Sequence, residues 1–346
     1  MKKILMIIIL TATLVIPVFA QDLTAPTVPR HAEKFMPEDH SSFSDGLWEV
    51  LRDAMMYFRP DLKEAASVCT RVTVVVIAVS FLRTFPGMSE RTVDLAGSIG
   101  ISYTLLHSAG SLINLAGSTV TEISEYGKLL LPVMTAAMAG QGSISTSAAL
   151  YAATALFDAL LTSLISKLLT PMIYLFLLLA ISSSAVGEDM LRKLRDAAKW
   201  FISFSLKTLL YIYTGYISIT GVVSGSTDAA ALKAAKLTIS SVVPVVGGIL
   251  SDASEAVLVG AVSLKNAAGI YGLFAVIALW IGPFLQIGSH YLLLKATGAV
   301  CSIFASKSSN ELLQSFASAL GFLLAMTGAI SLMLLISLVC FLRGTV

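Results

Sequence analysis

Asp252 and Glu255 stand three residues apart inside an otherwise apolar run, and of all the residues they come nearest to a chemical site. On a helix that spacing puts both carboxylates on one face. A carboxylate inside a membrane is costly, so it is paired, faces water, or handles a cation or proton. The approach to them, Val243-Pro244-Val245-Val246-Gly247-Gly248, interrupts a helix at Pro244 and permits close backbone approach at Gly247 and Gly248. Lys265 follows as an ion-pair partner, and Pro132 occupies a similar upstream run, Leu131-Pro132-Val133. Together Pro132, Pro244, Gly247, Gly248, Asp252, Glu255 and Lys265 read as a gate or as a structural motif. In the structural reading Ser251 or Asp252 caps a short helix and Glu255 reaches back to it. Asp158, near the middle of 144–166, divides in the same way between a polar contact in a helix bundle and a transport role.

No other chemistry is expected. The chain carries no nucleophile elbow, phosphate-binding glycine loop, zinc-type histidine pair or dinucleotide motif. His31, His40, His107 and His290 have no ligand spacing, and Cys69, Cys301 and Cys340 have no paired spacing. The expectation is therefore no catalytic residues, no metal, no cofactor and no enzyme. A net charge of +2 is too small to suggest nucleic-acid binding.

The elements that must position these residues are apolar helices. Of 346 residues 56% are hydrophobic and 13% charged, about half the charge of a soluble domain. Mean hydropathy is +0.85. The fold expected is all-α: a polytopic helical membrane protein with about six full spans and two interrupted or re-entrant helix pairs. Residues 1–20 have a secretory signal layout, with Lys2 and Lys3 before an apolar run and cleavage expected between Ala20 and Gln21. Residues 21–66 form an extracytoplasmic polar segment. It ends in an amphipathic helix over 45–64, with Leu47, Trp48, Leu51, Met55 and Phe58 on one side.

Residues 67–346 form the membrane domain. The spans expected are 68–85, 95–119, 168–186, 200–223, 267–289 and 312–342. The interrupted pairs are 129–166, broken at Gly140-Gln141-Gly142-Ser143, and 237–264. Arg192, Lys193, Arg195 and Lys199 place 188–199 in the cytoplasm, with Lys295 and Lys307 on the same side. This returns the chain to the outside near Glu122 and Glu125. One offset of 112 residues relates Pro132 to Pro244 and Pro171 to Pro283. It suggests a parallel internal duplication of 128–223 and 240–342, the kind of repeat on which transporters are often built.

The run from Val243 to Gly248, then Leu250-Ser251-Asp252-Ala253 and Leu264-Lys265-Asn266-Ala267, resembles the stage III sporulation protein AE family. Leu130-Leu131-Pro132-Val133 fits as well, and the resemblance extends over roughly 45–342. It implies a non-enzymatic membrane component of a channel or transport complex between mother cell and forespore, needed for forespore development. It implies residence in the mother-cell membrane around the forespore. The implied partners are other proteins of the stage III sporulation operon, a forespore membrane protein and membrane lipid. The alternative is an autonomous secondary transporter of a small solute or ion.

Overall fold

The computed structural model describes the backbone of residues 25–37, 43–85, 87, 89–242 and 247–343, and the side chains of these except 43, 44, 218–266 and 343. Every regular element among them is helical. A short turn of helix, α1 (Arg30–Glu33), precedes α2 (Phe43–Tyr57) and α3 (Arg59–Leu82). Five long helices follow: α4 (Glu90–Ala139), α5 (Ile144–Leu164) continued into α6 (Thr170–Val186), α7 (Asp189–Val242), α8 (Gly247–Cys301) and α9 (Lys307–Arg343). Between α5 and α6 one π-turn, Ile165–Leu169, carries the helix through without a loop.

Local sequence sets these boundaries. Pro60 sits in the first turn of α3, where the missing N–H costs nothing, whereas Pro171 follows the π-turn inside a continuous helix and lacks the N–H that would bond one turn back. Gly187 closes α6 in the left-handed region at φ +79, donating its N–H to the Ser183 carbonyl at 3.0 Å. Gly142, at φ +89, makes the turn between α4 and α5. That turn lies in the expected Gly140–Ser143 interruption. In contrast, α4 runs unbroken through Glu122 and Glu125, where the sequence reading ends a span. No glycine or proline lies between Gly117 and Gly127 to break the helix, and packing against α5 and α9 holds it.

The helices alternate in direction. Helix α3 runs toward an end that also holds the α6–α7 and α8–α9 turns, because Ser80 Oγ donates to the Phe304 carbonyl at 3.0 Å. At the same end Ser98 of α4 bonds Ser184 of α6 at 2.8 Å, and Ser184 donates to the Ser308 carbonyl at 2.9 Å. Arg83 pairs with Asp94 there. Helix α9 packs against all of α4 to α8, and α4 packs against α3, α5, α6, α8 and α9. These two helices form the centre.

Four helices among the described residues are long and apolar enough to cross a membrane: Arg59–Leu82, Ile144–Val186, Ala267–Cys301 and Lys307–Leu342. A third of the most apolar stretch of Arg59–Leu82 is buried, against 61% for Lys307–Leu342, so α3 is peripheral and α9 interior. Val74, Ile77 and Phe81 of α3 accordingly face outward, as a lipid-contacting surface would. Residues 95–119 are not in this set. Their serines and glycines, with His107 and Asn114, lower the hydropathy. One face of this stretch serves the interior: Gly97, Ser98, Ser102, Ala109 and Ala116 are buried, which lets neighbouring helices approach closely, while His107 and Asn114 are exposed.

Candidate functional site

Of the seven residues singled out as a gate or structural motif, the structure describes Pro132 in full. It lies within α4, where it cannot donate to the Lys128 carbonyl one turn earlier. Pro244 lies outside the described residues. Gly247, Gly248, Asp252, Glu255 and Lys265 fall in the helical backbone of α8, but their side chains are outside the described residues. Ala20 and Gln21 are also outside.

A polar layer is present at a different place. Asp158 of α5 is 4% exposed, and Ser124 of α4 donates its hydroxyl to Asp158 Oδ2 at 2.6 Å. Its other oxygen, Oδ1, is buried without a hydrogen-bond partner. One turn earlier on α5, Thr154 bonds Ser337 of α9 at 2.6 Å. Ser337 in turn bonds the hydroxyl of Tyr213 on α7, and Tyr213 donates to the Met333 carbonyl at 3.0 Å. Since Tyr213 has one proton to give, the chain has one direction: Thr154 to Ser337, Ser337 to Tyr213, Tyr213 to Met333. Phe157 stacks edge-on against Tyr213 with ring centroids 5.4 Å apart, sealing one side. Thr162, one turn beyond Asp158, also holds a buried hydroxyl oxygen with no partner. Thr154, Asp158 and Thr162 thus form an i, i+4, i+8 stripe. Chemically the layer offers a carboxylate oxygen that can accept one further donor, a proton or a small cation.

The serine contacts near the α6–α7 turn make a second layer. Ser98 and Ser124 lie on α4 26 residues apart, about 39 Å at the helical rise. A bilayer is about 30 Å thick across its hydrocarbon and about 40–45 Å with headgroups. The two polar layers are therefore spaced like the two faces of a membrane. Helix α2 sits at the height of the Asp158 layer: Gly46 packs on Phe274 of α8, and His31 Nε2 lies 3.0 Å from Glu122. Val50 and Ala54 are buried on the bundle side of α2, while Trp48 is 73% and Met55 71% exposed. Of the apolar side read from the sequence, Trp48, Leu51 and Met55 are thus turned away from the bundle, while Leu47 packs against it.

The end with the Ser98 layer is basic. Arg192 and Arg195 of α7 both reach Glu311 of α9 at 3.4 Å, and Arg195 also meets Asp196 at 3.0 Å. Lys199 donates to Ser318 at 3.4 Å. Among the described residues, no three or more His, Cys, Asp or Glu side chains are grouped to hold a metal ion.

The family described as Stage III sporulation protein AE (spore_III_AE) matches residues 33–344. The chain belongs to that family. It is similar to the Stage III sporulation protein AE of Bacillus subtilis (strain 168), 26% identical over 235 residues, which are 67% of this chain and 58% of that protein. The chain thus spans less than two thirds of the length of this relative. No solved structure matches it. The Stage III sporulation protein AE match takes in every helix from α2 to α9, so both polar layers and the basic end lie within it.

Sequence reasoning reached Asp158 but not its partners. Ser124, Tyr213 and Ser337 are each isolated in apolar sequence, and only packing brings them together. The i, i+4, i+8 spacing of Thr154, Asp158 and Thr162 was the available signal.

Proposed function

We propose that the protein is a non-enzymatic, multi-pass component of a sporulation channel or transport complex in the mother-cell membrane around the forespore. It acts there with other proteins of the stage III sporulation operon and a forespore membrane partner, and is needed for forespore development. Family membership over residues 33–344 carries this reading, because it joins a sporulation role to a bundle of long apolar helices.

The geometry supports a specific placement. The arginines and lysines of the α6–α7 and α8–α9 turns gather at one end, which the positive-inside rule puts in the cytoplasm. The Asp158 layer and α2 then lie at the outer face, behind the signal peptide and the polar segment. Beyond Ser124, α4 continues for 15 residues to Ala139, about 22 Å further. That portion would project into the space between mother cell and forespore. About six full spans and a parallel duplication remain part of this reading. Helices α5–α6 and α8 both run toward the basic end, and α7 and α9 both run away, as parallel repeats require. The unfilled Oδ1 of Asp158 is what favours the second reading, an autonomous carrier of a small cation or proton.

Cross-linking and affinity purification from engulfing cells tests the proposal. Recovery of a stable assembly with other sporulation membrane proteins is expected. A lone chain, with normal sporulation after its removal, would overturn it.

A further inference from the structure

The basic end contains a groove of about 750 Å³ between α7, α8 and α9. On α9 it extends from Asn310 to Ala325, about 22 Å along the helix. Two lysines meet in it at one level. Lys199 of α7 reaches Ser318 on α9 at 3.4 Å. Lys295 of α8 donates to the Tyr291 hydroxyl at 3.1 Å, with its ammonium 5.3 Å from the ring centroid. A Cβ built on Gly321 would lie 3.4 Å from that same tyrosine ring, so Tyr291 crosses α9 within one turn of Ser318.

Neither lysine has a carboxylate within ion-pair distance among the described residues. The acidic groups nearest the groove are engaged elsewhere: Glu311 by Arg192 and Arg195, and Asp196 by Arg195. The groove thus holds two uncompensated positive charges. Toward the turn its lining includes Ser302, Asn310 and Gln314, while away from it come Gly321, Phe322 and Ala325. A ligand matching this surface has a negative head at the level of the lysines and an apolar tail pointing away from the basic end.

We propose that this groove binds an anionic phospholipid from the leaflet at the basic end of the bundle. Basic pockets between membrane helices suit phosphate headgroups, and the electrostatic gain is greatest in an anionic leaflet. The apolar wall beyond the lysines distinguishes a lipid from a free phosphate, which would leave that wall wet. The site is independent of what the complex transports.

The test uses the full chain purified in detergent and titrated separately with phosphatidylglycerol, phosphatidylcholine and inorganic phosphate, following the thermal midpoint. A ligand that binds the folded state alone raises that midpoint. Phosphatidylglycerol should raise it by several degrees, and phosphatidylcholine and inorganic phosphate should leave it nearly unchanged. The double variant K199Q/K295Q should lose the shift, while K199R/K295R should keep it. Both lysines are exposed, so unliganded midpoints of the two double variants should match the parent. An undiminished shift in K199Q/K295Q, or an equal shift with inorganic phosphate, would overturn the proposal.

Discussion

Ser124 and Asp158, 34 residues apart in sequence, meet at 2.6 Å across the interface of α4 and α5. The serine satisfies one carboxylate oxygen and leaves the other buried and empty. Asp158→Asn should preserve the fold, since the amide oxygen can take the Ser124 hydroxyl and a neutral group costs less to bury. Membrane abundance and heat-resistant spore yield should stay near the parental level. A collapse in spore yield at normal abundance would instead favour the carrier reading.

The directed chain through Ser337 predicts unequal costs for its members. Ser337→Ala leaves the buried Thr154 hydroxyl without its acceptor, while Tyr213 keeps its bond to Met333, and should cost about 1–3 kcal/mol. Tyr213→Phe leaves Ser337 bonded to Thr154 and should cost about 1 kcal/mol. Thermal unfolding in detergent reads both, and a larger loss from Tyr213→Phe would contradict the order of donors.

Close packing at Gly46 fixes α2 to the bundle. A Cβ there would lie 2.5 Å from Phe274 Cζ, and Phe274 is fully buried and cannot yield. Gly46→Val should detach α2 and speed its proteolysis, while the same substitution at Gly110, whose Cβ meets nothing within 4 Å, should not.

Orientation is testable with introduced cysteines. Ala197 and Ser302 belong to the basic end, and Glu49 to exposed α2. In intact protoplasts, impermeant thiol reagents should label a cysteine at Glu49 and spare those at Ala197 and Ser302. Labelling at Ala197 would invert the placement of the whole bundle.

Asp252 and Glu255 lie in the continuous helical backbone of α8, beyond its first turn, so neither caps a helix start as the sequence suggested. Asparagine and glutamine keep the size and accepting oxygen of the two side chains without their charge. The double isostere D252N/E255Q should therefore sporulate almost normally. Loss of spores with normal membrane abundance would assign the pair to ion handling.

Some of this architecture was legible from residue order. Apolar composition gave an all-helical chain, Gly140–Ser143 gave a turn, and the arginines of 188–199 gave a shared end with Lys295. The length of the helices was not legible. Hydropathy windows end where a bilayer would, whereas α4 continues past Glu122 and Glu125 because packing against α5 and α9, rather than lipid, holds it. Nor could α2 be oriented. Its moment is set by Trp48, Leu51 and Met55, but the face that docks is the small one, Gly46, Val50 and Ala54, because shape decides helix–helix contact.

The π-turn at Ile165–Leu169 makes the effect of deleting a residue depend on where it is taken, in a way that substitution would not reveal. Each residue of an α-helix advances the azimuth by about 100°. Removing one residue from the wider turn itself would restore ordinary winding nearly in phase, because its five residues cover about the azimuth of four α-helical ones, but removing one elsewhere between Asp158 and Phe176 would swing everything after it around the axis. Phe176 would leave the ring of Phe322, now 5.6 Å away, and Ser184 would leave Ser98 and Ser308. Residue number between Asp158 and Ser184 is thus a phase relationship between the two polar layers.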